Sequence, residues 1–140
     1  MATGSRRSGQ GEGPRHEARE QAMVLLYEAE LKSSEPATLL EALPATPDPF
    51  TLKLVEGVAG HRAQIDSLVA GTAVGWEIER MPVVDRTILR LATYELLDQP
   101  STPTAVVIDE AVELAKRYST DASGAFVNGV LSHIARHLRP

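Results

Sequence analysis

Apolar residues along most of the chain recur at steps of three and four, the spacing that is typical of amphipathic helices. The first such segment begins at Glu17, and its apolar face is made of Ala18, Ala22, Leu25, Leu26 and Ala29. A second, short helix is predicted over 37–43, and the three prolines within 44–49 predict a loop after it. Alternation at steps of two occurs only over 105–108, a segment that suits the start of a helix better. The pattern therefore predicts an all-α fold.

A longer helix is expected after the proline-rich loop. Asp48 can cap this helix, and Pro49 can occupy its first position. Its apolar side chains continue to Val69, and Gly57 and Gly60 predict a bend along the way. Beyond it, the regular spacing is interrupted around the single tryptophan, Trp76. The interrupting residues are Gly71, Gly75 and Pro82.

Three further helices are predicted in the second half of the chain. The first covers about 84–97, and the second starts at Pro103 with Thr102 as its expected cap. The last is expected to be capped by Asp121 or Ser123 and to carry an apolar face as far as Leu138. Together, these segments predict a compact bundle of about seven helices.

The composition defines the class of protein. The 140 residues are 43% hydrophobic and 24% charged, which is typical of one ordered globular domain. We expect a flexible basic tail over 1–14, which is rich in Gly, Ser and Arg, and a helical domain over 15–140. The chain has no cysteine, which excludes disulfides, thiolate metal sites and a cysteine nucleophile. No apolar run reaches the roughly 18–20 residues that span a bilayer, and the polar start lacks a signal-peptide core, so a cytoplasmic protein without membrane contact is expected.

Charge is distributed unevenly along the sequence. The net charge is −5, but residues 1–19 carry a net +2 and residues 116–140 a net +3. Residues 20–115 contain 6 basic and 16 acidic residues, a net −10. This distribution favours a dipolar protein with one face for an anion and another for a basic partner, although chance scatter explains it equally well.

No motif typical of an enzyme is present: the chain lacks a P-loop, a G-x-S-x-G motif and an H-E-x-x-H motif. Asp109 and Glu110 are adjacent, so they point to different helix faces and do not suit paired acid–base chemistry. His133 and His137 share a helix face, but no third metal ligand is evident, and imidazolium groups suit a helix C-terminus. The sequence therefore predicts no enzymatic activity, no cofactor and no metal.

Nucleic-acid binding has more support, and the first group of candidate residues opens the first helix. Arg15, His16 and Arg19 lie in its first turns, with the two arginines on one face. Arginine suits phosphate and base-edge contacts because its guanidinium donates hydrogen bonds in pairs. Cations here oppose the helix dipole by roughly 0.3–1 kcal/mol each, a cost that makes sense if an anion binds nearby. A solvated helix start is the simpler alternative.

Two further groups lie on later helices. Arg86, Arg90 and Tyr94 recur at steps of four, and a basic stripe that ends in an aromatic ring can hold a single strand and stack a base. The alternative is a solvated face with Tyr94 half-buried. On the last helix, Phe126 lies outside the main apolar stripe, with Asn128 close by. Gly129 in the same helix is expected to permit close helix packing, with the close approach of a ligand as the alternative.

Four segments in order along the chain resemble one known family. They are residues 15–27, which follow the pattern R-x-x-A-R-x-x-A…L-Y, and residues 85–96, 108–116 and 126–131. The resemblance is to the N-utilization substance B (NusB) family of transcription antitermination factors, and it spans about 15–138. Asp109 stands where the family usually has Asn. Glu17 interrupts an opening that is often more densely basic, which favours RNA binding assisted by a partner.

The resemblance implies two small helical subdomains and binding to the boxA element of nascent ribosomal RNA transcripts. It also implies a heterodimer with NusE, a small-subunit ribosomal protein, within an RNA polymerase antitermination complex. The RNA surface implied by matching positions consists of Arg15, His16, Arg19, Tyr27, Arg86, Arg90, Tyr94, Phe126 and Asn128. The acidic middle of the chain would meet the basic partner.

Two alternative functions belong to other classes of protein. Relatives can self-associate, so a dimeric helical interaction module without useful RNA affinity of its own is the main one. A NusB-like domain also resembles the N-terminal part of ribosomal RNA cytosine methyltransferases. A chain that stops at Pro140 is expected to have no room for their cofactor-binding domain.

Overall fold

The computed structural model describes residues 14–72 and 77–140, and its regular structure there is helical throughout. A short 3₁₀ turn, Ile78–Arg80, precedes the fifth helix. The helices are α1 (Pro14–Lys32), α2 (Pro36–Glu41), α3 (Pro49–Gly60), α4 (Arg62–Thr72), α5 (Val83–Asp98), α6 (Thr104–Tyr118) and α7 (Asp121–Leu138). The predicted all-α fold is confirmed. The tail expected before α1, and the interruption expected at Gly75 and Trp76, lie outside the described residues.

The helix that was predicted to run from Pro49 to about Val69 is two helices, α3 and α4. At its start, Asp48 accepts a hydrogen bond from the Phe50 N–H at 2.7 Å, with Pro49 in the first turn as predicted. At its end, the backbone N–H of His61 donates to the Gly57 carbonyl at 3.0 Å, and Nδ1 of its ring lies 2.8 Å from that oxygen. This side-chain contact satisfies a terminal carbonyl of α3, so the chain breaks where only a bend was expected.

Two predicted helix caps are wrong. Thr120 caps α7, because its hydroxyl accepts from the Ser123 N–H at 3.0 Å, so neither Asp121 nor Ser123 is the cap. Pro103 occupies the cap position of α6 and contributes no side-chain hydrogen bond. The Thr102 hydroxyl is buried and has no hydrogen-bond partner within the described ranges.

The C-terminal end of α5 is held by Arg139, which follows α7. Its guanidinium donates to the carbonyls of Glu95, Leu96 and Gln99 at 3.1, 3.1 and 2.8 Å. It also donates to the Thr102 carbonyl at 2.7 Å, in the connection to α6. One side chain therefore donates to two of the last four carbonyls of α5, those of Glu95 and Leu96, and to the carbonyl of the C-cap residue Gln99.

The core is built around α5, which contacts α1, α3, α4, α6 and α7. Its inward side chains are almost fully buried, and they are Ile88, Leu89, Leu91, Ala92 and Leu96. Tyr94 fits into this packing because Gly57 of α3 has no side chain: a Cβ there would overlap the tyrosine ring. Among the described helices, none is long and apolar enough to cross a bilayer.

Candidate nucleic-acid interface

Arg15 is the one arginine of the first predicted group that faces solvent. Its guanidinium lies 4.1 Å from the centre of the Phe50 ring, a cation–π contact between α1 and α3. Phe50 is itself fixed, because its N–H is bound by Asp48 and its ring is only 9% exposed. Arg15 is therefore held in place by an aromatic ring and not by a carboxylate.

His16 and Arg19 point into the protein. The Nδ1 atom of His16 lies 2.7 Å from a carboxylate oxygen of Glu110 on α6. Arg19 donates two hydrogen bonds to Glu95 on α5, at 2.7 and 3.0 Å, and is 4% exposed. The sequence predicted a shared free face for the two arginines, but the structure separates them into one exposed and one buried residue.

The second predicted stripe is also engaged internally. Arg86 donates to Glu30 of α1 at 2.8 Å and to the backbone carbonyls of Glu79 and Met81. Arg90 donates twice to Asp66 of α4, at 2.8 and 3.1 Å, and reaches Glu30 at 3.3 Å. These arginines connect α5 to α1 and α4.

Glu30 is therefore the acceptor for two arginines at once. Burial raises the pKa of its carboxyl, but the hydrogen bond from Arg86 and the charges of Arg90, Arg86 and Arg62 outweigh burial, so the pKa is below its ordinary value. The carboxylate form is thus stabilised in the folded chain.

Tyr94 is 3% exposed and so presents no free ring to solvent. Its ring centre lies 5.5 Å from that of His61, and its hydroxyl donates to Asp98 at 3.0 Å. Burial raises the pKa of Tyr94, and the hydrogen bond to Asp98 and its charge act in the same direction. The ring is a packing element between α3 and α5 in the free protein.

The remaining predicted residues lie nearer the surface. Phe126 is partly buried and packs against the core, and Tyr27 on α1 is also partly buried. Asn128 is exposed and accepts a hydrogen bond from Ser132 at 3.2 Å. A Cβ added to Gly129 would meet no other atom within 4 Å, so the expected close packing at that glycine is wrong.

Most cations of the described residues are neutralised by acids. Even at the surface, Arg117 binds Glu20 at 3.1 Å, and Tyr118 also donates to that carboxylate. Hydrogen bonding from Tyr118, opposed by burial and supported by Arg117, lowers the pKa of Glu20. Within the described ranges, the exposed cations outside any ion pair are Arg15, Lys53, Lys116 and Arg136. Lys53 was not singled out by sequence, because a lone lysine on a helix carries no distinguishing pattern.

One cluster combines groups that can bind metals. Ligand atoms of His16, Glu110 and Glu113 lie within 4.8 Å of one another. However, His16 already contacts Glu110 directly, and the Arg19 guanidinium lies 3.8 Å from the same carboxylate. This positive charge disfavours a metal cation there. On α7, the rings of His133 and His137 lie 5.0 Å apart, as their spacing predicted.

Comparison with known proteins decides the family. Residues 16–136 match the model of the NusB family. The chain belongs to the NusB family. The resemblance seen in the four sequence motifs is thereby confirmed.

Similar proteins of this family cover most of the chain. The transcription antitermination protein NusB of Saccharopolyspora erythraea is 50% identical over 129 residues, which are 88% of this chain and 87% of that protein. The NusB protein of Acidothermus cellulolyticus is 50% identical over 124 residues, 86% of each chain.

Solved structures agree in fold. NusB of T. maritima has a TM-score of 0.84 and 38% identity, covering 92% of this chain and 95% of that one. A crystal structure of antitermination factors NusB and NusE in complex with dsRNA has a TM-score of 0.75 and 31% identity, covering 86% and 94%. The NusB fold is thus shared along nearly the whole described chain.

Proposed function

We propose that this chain is a transcription antitermination factor that binds the boxA element of nascent ribosomal RNA together with NusE. The observation that carries the proposal is the family match over residues 16–136, with 50% identity to named antitermination proteins. A neighbour of 31% identity is a NusB bound to NusE and dsRNA. In this proposal, the chain is not an enzyme, acts in the cytoplasm and works within an RNA polymerase antitermination complex.

The proposed RNA surface keeps the nine residues predicted from the sequence but divides them into two roles. Arg15 and Asn128 are exposed and can contact RNA directly, with Phe126 and Tyr27 at the edge of the surface. The buried members act through the helices they hold together, and these members are His16, Arg19, Arg90 and Tyr94. Arg86, partly buried against Glu30, belongs with this second group.

NusE is expected to increase the RNA affinity of this chain. Few described cations are free for phosphate, and the chain carries a net charge of −5, so RNA affinity of the chain alone is expected to be low. A basic partner bound to the acidic middle of the chain would supply further positive charge. RNA affinity should therefore rise when NusE is present.

The first test is the affinity for a short boxA-like RNA, with and without NusE, across a salt series, for the wild type and Arg15→Ala. We expect the variant to bind about fivefold more weakly, which corresponds to about 1 kcal/mol. Its salt dependence should also be shallower, because one positive charge beside the RNA backbone is lost.

Lys32→Ala is the matched control for this test. Lys32 is an exposed cation at the opposite end of α1, where it pairs with Glu28 at 2.6 Å. This variant should bind RNA as the wild type does. If the wild type shows no specific RNA binding even with NusE, the antitermination proposal is wrong.

One observation favours a second candidate, a homodimeric interaction module. Val24 and Leu31 lie two turns apart on α1 and are 44% and 58% exposed, so one face of this helix presents two apolar side chains that a second copy could cover. Sedimentation equilibrium of the wild type and Leu31→Glu separates the two candidates. Self-association that is lost in the variant, without specific RNA binding in either protein, would support the module.

A further inference from the structure

Arg15 is held in an arrangement that leaves its charge unbalanced. Within the described ranges it forms no ion pair, although its guanidinium is fixed 4.1 Å from the Phe50 ring centre. Arg19 approaches the same ring at 5.4 Å, but its charge is balanced by Glu95, to which it donates two hydrogen bonds. The protein thus keeps two like charges near one ring and supplies a carboxylate to only one of them.

The Phe50 ring is a firm support for Arg15. It packs among the core residues, and the α3 start that carries it is fixed by the Asp48 cap. The Arg15 guanidinium carbon lies over this ring, and because Arg15 is exposed, the side of the group that is turned away from the ring meets solvent. Unpaired RNA bases stack on this kind of arginine face.

Lys53 follows Phe50 by one turn of α3, on the same side of the helix. It is exposed and forms no ion pair with a described residue, although Glu56 is exposed one turn further on. Its ammonium group is a compact charge that suits a phosphate. Arg15 thus lies over the Phe50 ring, and an exposed lysine without an ion pair to a described residue follows that ring by one turn of α3.

We propose that Arg15, Phe50 and Lys53 form one RNA-binding site, which we name the Phe50 platform. The outer face of Arg15 stacks on an unpaired base, Phe50 positions Arg15, and Lys53 contacts the neighbouring phosphate. This inference rests on the proposed function, but it adds a base-stacking contact and two residues, Phe50 and Lys53, that the sequence did not predict.

An acidic protein segment is the other partner that two cations could attract. The stacked geometry favours RNA, since a carboxylate needs the donating edge of the guanidinium and gains nothing from its open face. Single-stranded bases use that face, and each stacked base contributes substantially to affinity.

The experiment uses the full chain with NusE and a boxA-like RNA in which 2-aminopurine replaces each base in turn. Stacking quenches the fluorescence of this base analogue. The variants are Arg15→Lys, which keeps the charge and removes the plane, Phe50→Leu, which keeps apolar volume, and Lys53→Ala. Lys32→Ala, about 25 Å away along α1, is the control for loss of charge.

The platform predicts that one base position is quenched in the wild type and that Arg15→Lys and Phe50→Leu lose this quenching. Both should bind RNA roughly fivefold or more weakly. Lys53→Ala should keep the quenching, bind more weakly and have a salt slope reduced by about 1. Affinity for NusE alone should be unchanged in all variants, which also reports on folding.

Other results would overturn the platform. If the wild type binds RNA and the three variants bind it as Lys32→Ala does, the platform is wrong while the proposed function stands. If Arg15→Lys or Lys53→Ala loses affinity for NusE without RNA while its circular dichroism spectrum matches that of the wild type, the surface binds protein and the platform is wrong. No RNA binding by the wild type would overturn both proposals. Arg15→Lys is a surface change and keeps the test valid if Phe50→Leu fails to fold.

Discussion

At the scale of single residues, Gly57 and Tyr94 determine each other's surroundings although they are distant in the sequence. The tyrosine ring occupies the space where any side chain on Gly57 would lie. Its hydroxyl reaches Asp98 at the end of α5. The ring is therefore buried between two helices instead of being presented at the surface.

Gly57→Ala should destabilise the protein by about 1–3 kcal/mol, because the added methyl group overlaps a ring that has no room to move. Urea unfolding followed by circular dichroism measures this difference. Gly60→Ala is the matched control, because nothing lies within 4 Å of its added methyl group. An equal loss of stability in the two variants would contradict the steric explanation.

At this scale, the local sequence predicts contacts between residues that are near in the chain but not contacts between residues that are far apart. Asp48 and Pro49 were predicted correctly as the start of α3, because a cap acts on residues two or three positions away. Gly129 was expected to pack closely but is open, whereas Gly57, expected only at a bend, is the closely packed glycine. The role of a glycine depends on a neighbour that the local sequence does not contain.

At the scale of elements, α1, α4 and α5 are joined by ion pairs between side chains. Glu30 on α1 accepts from both Arg86 and Arg90, and Asp66 on α4 accepts from Arg90. These bonds replace the solvated basic stripe that the spacing on α5 suggested. The side-chain positions along α5 were predictable, since helical periodicity is local, but the acids were not, since they lie 24 to 60 positions away.

Glu30→Gln should lower the free energy of unfolding by about 1–3 kcal/mol at neutral pH, because Arg62, Arg86 and Arg90 lose their shared carboxylate. The pKa of Glu30 is lowered in the folded chain, so its contribution is fully present above the ordinary carboxyl pKa. It is lost as the pH falls through the folded-state pKa. The difference between wild type and variant should therefore shrink in acid.

Urea titrations at a series of pH values measure this convergence. Glu28→Gln is the control on the same helix, since Lys32 is the one described residue with which Glu28 forms an ion pair, and that pair lies at the surface. Surface pairs of this kind contribute at most about 1 kcal/mol. A difference for Glu30→Gln that is independent of pH would contradict the ion-pair explanation.

At the scale of the whole molecule, the helices form one bundle around α5, and hydrogen bonds from Arg139 hold the end of α5 in this bundle. This residue follows α7 yet binds carbonyls at the end of α5 and in the loop before α6. Three segments that are separate in sequence are thereby joined by one guanidinium. Such a contact has no signature in the sequence, where an arginine after the last helix resembles an ordinary polar end.

Arg139→Ala should destabilise the fold by about 2–4 kcal/mol, because the carbonyls of Leu96 and Thr102 lose their donor and two further carbonyls lose one of their two donors. Thermal unfolding measures the effect. Arg136→Ala removes an exposed arginine of α7 that forms no ion pair with a described residue, and it should leave the melting temperature nearly unchanged. Equal melting temperatures for the two variants would exclude this role for Arg139.

The position of Arg139 also has a consequence for the order of events during synthesis. A ribosome makes this residue after all seven described helices. The carbonyls of Leu96 and Thr102 are therefore synthesised well before the guanidinium that donates to them, and water solvates them in the meantime. A nascent chain arrested just before Arg139 would contain every described helix but lack the hydrogen bonds that this residue makes with the end of α5.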